Sequence, residues 1–214
     1  AAIENRKALD AAVNAVSGKR KQRLRKATER LEAHGEVAYR ACSNVSLCKR
    51  LLQEHLELER RGWKGKEGTA VLQDEKITSF FWKAMTGLLE EGRCSVHSLW
   101  VGSRIVATLV LIEENGTYYP WKIAFDEEYA RYSVGNLLLV QFNQWLLGRG
   151  DFTVLDSLAD PLNDTASRYW PGKIEMHSML IGLGLEPTSV TFQVTEELRH
   201  IRNIKFWLKR KLVR

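Results

Sequence analysis

No run in this sequence is long and apolar enough to span a bilayer, and no basic start followed by an apolar middle opens it as a leader would. Together these absences lead to the expectation of a cytoplasmic protein with no membrane insertion. Cysteine is scarce: Cys42, Cys48 and Cys94 form no C-x-x-C. An odd, scattered set argues for buried, reduced thiols rather than a disulfide framework. The five histidines lack metal-ligand spacing and no H-E-x-x-H occurs, so no metal is expected. Two nucleotide signatures are missing as well, a G-x-G-x-x-G after a strand and a G-x-x-x-x-G-K-[ST] loop.

What is present is an ordinary globular composition, 44% apolar and 27% charged over 214 residues. That length can bury a sizeable core, as one large domain or one domain with an appendage. The first residue is Ala and a helical pattern is already under way, which fits a piece of a longer protein. The net charge of +6 is uneven. Lys19, Arg20, Lys21, Arg23, Arg25, Lys26 and Arg30 crowd the first segment, and Lys205, Lys209, Arg210, Lys211 and Arg214 the last. Such clusters are either solvated helix faces or contacts for nucleic acid, acidic head groups or an anionic ligand.

Helical periodicity places a helix over 19–34, ended by Gly35, and a second after an N-cap at Ser46 with Leu47, Leu51, Leu52 and Leu56 on one face. A glycine-rich loop, Gly62-Trp63-Lys64-Gly65 to Gly68-Thr69-Ala70, follows. The third helix, 74–91, is expected to bury Phe80, Phe81, Ala84, Met85, Leu88 and Leu89. A strand at 36–41 precedes them. The period then changes to that of strands: 95–101, 104–113 and 117–125, joined by turns at Gly102-Ser103 and Asn115-Gly116. On the third of these, alternation sets Trp121, Ile123 and Phe125 against Lys122, Ala124 and Asp126. A polar loop, 126–133, leads through Gly135 into an apolar helix, 136–147, and a strand at 152–158. A short helix at 160–170, strands at 175–181 and 188–194 and a basic helix from 196 to 212 complete the reading. This order predicts an α/β (α+β) fold with a mixed sheet.

The strand, loop, helix, strand unit at 117–158 is the centre of the functional reading. A loop ending at a helix N-terminus offers unpaired N–H groups and the positive end of the helix dipole to a phosphate. Candidate anion ligands are Arg131, the Ser133 hydroxyl and the N–H groups of Val134, Gly135 and Asn136; an ordinary helix start capped by Ser133 is the plain alternative.

Several stretches resemble a known family: Arg30-Leu31-Glu32, Glu59 with the glycine-rich loop at 62–70, Lys122 to Asp126, Tyr129 to Leu138, and Leu155 to Pro161 with Trp170-Pro171-Gly172. Together they are similar to the GNAT acetyltransferase fold, more narrowly to GNAT-like acyltransferases associated with bacterial cellulose and polysaccharide biosynthesis, distantly FemAB-like. The resemblance implies a mostly antiparallel central sheet flanked by helices, with acetyl-CoA or another acyl-CoA as co-substrate. It implies that the pre-helix loop cradles the pyrophosphate and that the backbone of Ile123, Ala124 and Phe125 holds the pantetheine and polarises the thioester. The family loop, [QR]-x-x-G-x-[GA], falls here on Ala130, Ser133 and Gly135, a departure at two positions. The resemblance also implies histidine and aspartate before Trp170, where this chain has Asn163 to Arg168.

Direct transfer from thioester to an amine or hydroxyl needs a base and an acid. The strand-end carboxylates Asp126, Asp156 and Asp160 are the candidate bases, and Tyr169 or Tyr132 the acid. Trp63, Lys64 and Asp156 are placed at the acceptor. The expected layout is a basic helical segment over 1–35, the acyltransferase domain over 36–195 and a basic helix over 196–214. The acceptor is a small or sugar-linked molecule. A FemAB-like aminoacyl-tRNA transferase whose basic helix grips RNA, or a degenerate domain acting as a scaffold, are the alternatives.

Overall fold

The apolar runs of Cys94–Val101 (β3) and Arg104–Glu114 (β4) form the middle of a sheet, covered on both faces. In the computed structural model, which describes residues 1–149, 152–159, 164–175, 194 and 196–200, the strand order is β1-β6-β5-β4-β3-β2. Its other members are Ala2–Ile3 (β1), Val37–Cys42 (β2), Thr117–Phe125 (β5) and Val154–Asp156 (β6). Every neighbouring pair is antiparallel except β5 and β6, so the sheet is mixed and mostly antiparallel, as the sequence predicts. Asn115 and Gly116 both have positive φ, 49° and 77°, the left-handed turn that an Asn-Gly pair favours between twisted strands.

Helices cover both faces. Arg6–Asn14 (α1), Gly18–Glu32 (α2) and Val134–Leu147 (α6) share one core, with Leu9, Leu31, Leu109 and Phe142 buried in it. Val45–Arg61 (α3) and Glu75–Glu90 (α5) cover the other face around Leu52, Leu56, Phe81, Met85 and Val110. A short helix, Trp63–Lys66 (α4), and a 3-10 turn at Val71–Gln73 lie between α3 and α5, and Asp164–Tyr169 (α7) follows β6. All three cysteines are buried free thiols; burial pushes those of Cys48 and Cys94 up to about 12.

Several expectations need correction. The cap of α3 is Asn44, whose Oδ1 accepts the Leu47 N–H at 3.0 Å, not Ser46 two residues further in. Phe80 is 68% exposed: the buried stripe of α5 is Phe81, Met85 and Leu89 at four-residue spacing, and Phe80 stands about 100° off it. The 126–133 loop is largely a 3-10 helix, Glu127–Tyr132. The first residues contribute β1, which caps the sheet beyond β6 through the Ala2 N–H to Gly172 O at 2.9 Å and the Ser157 N–H and Oγ to Ala1 O at 3.0 and 2.7 Å. Two residues of strand give no periodic signal, so β1 was not expected.

The chain divides into two compact units, Ala1–Ile174 and Glu175–Arg214. In the second, residue 194 and residues 196–200 are helical, with Arg199 paired to Glu196 at 2.6 Å. The strands expected at 175–181 and 188–194 and the helix beyond residue 200 lie essentially outside the described residues, as do Asp160 and Asn163. Among the described residues, no helix is long and apolar enough to cross a membrane.

Candidate active site

β5 carries two irregularities that make a site. The first is a bulge: Val110 pairs with Lys122 and Leu111 with Pro120, leaving Trp121 without a partner on β4. An inserted residue turns two successive side chains to one face. Trp121 therefore stacks on Phe81 at 6.0 Å and Lys122 reaches Glu59 on that same α3 side, while Ile123 and Phe125 face α6. The expected alternation, with Trp121 beside Ile123, is corrected by this one residue. The second irregularity is a splay. Among the described residues, β5 pairs with β6 only at Thr117–Val154 and Tyr118–Leu155, and past Tyr118 it is bordered by β4 alone.

A cavity of about 450 Å³ fills the opening. Pro120, Ile123 and Phe125 form one wall, Ser157, Leu158 and Ala159 the opposite one, and Ala166 with Trp170 a third. At its mouth stand Ser133, Val134, Gly135 and Asn136. Ser133 adopts the left-handed conformation (φ 56°, ψ 38°), costing a non-glycine residue about 1 kcal/mol, and its side chain makes no cap bond. Ser133 stands at the N-cap position of α6 and its carbonyl accepts the Leu137 N–H at 3.0 Å, but it does not cap the helix through its hydroxyl. Among the described residues, no acceptor meets the N–H groups of Val134, Gly135 and Asn136. A Cβ on Gly135 would lie 3.5 Å from the Phe125 ring, so alanine fits there and anything larger enters the cavity. Unpaired helix-start amides suit an anion, and the open edge of β5 suits an extended chain carrying amides.

On the other face of β5 a charged knot is buried. Glu59, its side chain 1% exposed, accepts Lys64 Nζ at 2.6 Å and Lys122 Nζ at 2.7 Å on one oxygen, and the Val71 N–H at 3.0 Å on the other. Burial alone would raise its pKa; the bonds from Lys122, Lys64 and Val71 outweigh that and hold it at about 2. Lys122 is shifted down, first by burial and then by Lys64, with Glu59 opposing. One turn back on α3, His55 bonds Thr108 Oγ1 at 2.9 Å through Nδ1; burial depresses its pKa to about 3, and its buried Nε2 meets no partner among the described residues. Glu59, Lys64 and Trp63 also line a cleft of about 20 Å³ against Ala124 and Phe125, so residues 123–125 wall both hollows.

The structure brings Ile123, Phe125, Ser133, Val134, Gly135 and Asn136 together at the large cavity; Ala124, Trp63 and Lys64 are at the small cleft. Arg131 is exposed and lies over the Tyr132 ring at 4.8 Å, away from the cavity wall. Asp126 is tied to Arg104 at 2.6 Å and to the Glu128 N–H at 3.1 Å, where it starts the 3-10 turn. Asp156 accepts the Leu158 N–H at 3.0 Å. Tyr132 hydrogen-bonds His34 at 2.6 Å, and Tyr169 donates to Asn136 Oδ1 at 2.9 Å, its pKa raised by burial against the pull of Arg20. Among the described residues, no group of three His, Cys, Asp or Glu could hold a metal ion. Sequence reasoning gave no role to Glu59, Lys122 or His55. A usable signal existed: Leu52, His55, Leu56 and Glu59 share one apolar helix face, and a carboxylate there needs a partner.

A family model described as acetyltransferase (GNAT) domain matches residues 18–169. No curated protein sequence matches the chain. Among solved structures, a possible acetyltransferase from Clostridium difficile 630 aligns at 16% identity over 68% of this chain and 97% of its own, with a TM-score of 0.49. An aminoglycoside acetyltransferase from an uncultured soil metagenomic sample, in complex with trehalose, aligns at 15% identity over 69% and 97%, with a TM-score of 0.45.

Proposed function

We propose that this chain, which belongs to the GNAT acetyltransferase family, takes an acyl group from a coenzyme A thioester and passes it directly to an amine or hydroxyl acceptor. It is an acyltransferase by family. The observation that carries the reading is the meeting of the splayed edge of β5 with the unfilled amides of α6 in one cavity. In this reading the donor's pyrophosphate accepts from Val134, Gly135 and Asn136, and its amide-bearing arm runs along residues 123–125. Holding the thioester there removes orientational freedom from the attack.

The acceptor's nucleophile attacks the thioester carbonyl carbon and gives up a proton to a base, the C–S bond breaks, and the leaving thiolate takes a proton back from that same group, so that acceptor and thioester become acyl product and free thiol. With Asp126 clasped by Arg104, the proton of the acceptor goes to Asp160, the residue next to the wall residue Ala159. Tyr169 reaches the cavity only through Asn136, as an orienting group for the helix start. A sugar-linked amine or hydroxyl, as in polysaccharide or cell-envelope metabolism, is the first acceptor class to screen, entering past Trp63 and Lys64.

Calorimetric titration with coenzyme A and acetyl-CoA tests the donor. Micromolar binding to the native protein should fall at least tenfold in Gly135→Leu at unchanged thermal stability, while Gly135→Ala binds normally. No binding of either ligand to folded protein sinks the reading. Once an acceptor is found, Asp160→Asn should lower kcat by about 100-fold or more with KM for the donor unchanged; unaltered kcat would remove Asp160 from the chemistry.

A further inference from the structure

Around the corner from the cavity lies a second hollow of about 460 Å³, lined by Lys19, Arg20, Arg23 and Lys26 of α2 and by Arg168 of α7. Four of these recur at positions i, i+1, i+4 and i+7, so α2 presents them on one side. Lys19, Arg23 and Lys26 are exposed, and among the described residues none of the four α2 cations has a carboxylate partner; the ion pair on this helix is Arg25 with Glu29. Cations gathered on one concave surface repel one another and concentrate an anion.

The hollow is linked to the candidate active site by short contacts. The Arg20 guanidinium sits 4.3 Å over the Tyr169 ring, and the Tyr169 hydroxyl donates to Asn136 at the cavity mouth. Ala166 and Trp170 line the cavity while Arg168, between them, lines the basic hollow. The two spaces are thus separated by about one helix diameter, ~10 Å. The cations that line the hollow span residues 19 to 26, about 10 Å of helix; Arg30 continues the same side of α2 but lies outside the hollow's lining. That footprint fits one or two phosphates rather than a polynucleotide tract.

We propose that α2 and Arg168 form a subsite for the phosphate on the donor's ribose, so that the basic helix anchors the end of coenzyme A remote from the thioester. This rests on the donor reading above. The anchor lies on a helix outside the β5–α6–β6 unit, and nothing in the loop sequence 126–136 encodes it.

The test is calorimetry with coenzyme A and with its 3′-dephospho form, on the native protein and on the double variant Lys19→Gln/Arg23→Gln, whose exposed positions leave folding intact. The native protein should bind coenzyme A about tenfold more tightly than the dephospho form. In the double variant that gap should close, through loss of coenzyme A affinity alone, and in the native protein it should narrow as salt is raised. Equal affinities in the native protein, or a gap that survives in the variant, overturn the subsite and leave the donor reading standing. Failure of both ligands to bind overturns both. Binding of a single-stranded RNA oligomer that the double variant abolishes, with no gap between the two coenzymes, overturns it in favour of nucleic acid.

Discussion

Two buried histidines set how this protein meets acid. His55 and His97 are both held near pKa 3, chiefly by burial; Lys122 and Lys64 add to this at His55 and Arg149 at His97. In the unfolded chain each would titrate near 6.5, so between pH 6.5 and 3 the unfolded state binds protons that the folded state refuses. Stability is full above pH 6.5 and falls on acidification, by about 1.4 kcal/mol per pH unit for each histidine. Glu59 adds a later loss, since its folded value of about 2 lies below its ordinary 4.5 and its contribution disappears between those limits. Urea unfolding at pH 7, 6 and 5 should show stability dropping by about 1.4 kcal/mol over the first unit and about 2.4 kcal/mol over the second, with both drops about halved in His97→Gln. A flat profile over this range would mean that one or both rings admit protons in the native state.

Glycine at residue 65 decides how α4 is seated. A Cβ there would lie 1.7 Å from the Arg60 carbonyl oxygen, so α4 can approach the end of α3 only without a side chain at this point. That approach carries Lys64 to Glu59. Gly65→Ala should cost about 3 kcal/mol and lower Tm by roughly 5–10 °C, whereas a substitution at Gly87, where a Cβ would meet nothing within 4 Å, should cost little. An unchanged Tm in Gly65→Ala would show that α4 can shift without penalty. The glycine-rich loop was visible in the sequence as a motif, and its close approach is the physical reason for it. The hairpin at Asn115-Gly116 and the helix after Gly135 were legible for similar reasons: each has a local chemical signature. The bulge at Trp121 was not, because one extra residue in a strand leaves hydrophobicity unaltered yet reverses every side chain on one side of it. The Glu59–Lys122 pair joins residues 63 positions apart, and no local pattern reports which lysine a buried carboxylate will find.

At the scale of the molecule, two cores back onto one sheet, and the sheet has two ends. One is closed by β1, only two residues long; the other is β2, whose far side has no strand beside it among the described residues. The strand reads Val37-Ala38-Tyr39-Arg40-Ala41-Cys42, five residues of β-forming or small apolar type around one arginine. That arginine is exposed and lies over the Trp100 ring at 4.5 Å. A free strand edge is a template for another chain, and a cation planted on it opposes a second copy carrying the same cation at the same place. Arg40 is therefore a guard against self-association. Arg40→Val should leave the unfolding temperature nearly unchanged while shifting sedimentation toward larger species than the native protein forms as concentration rises; a variant that sediments as the native protein does would show that twist alone protects the edge. The colloidal behaviour of a chain carrying a +6 net charge then hangs on where one of those charges stands, more than on how many there are.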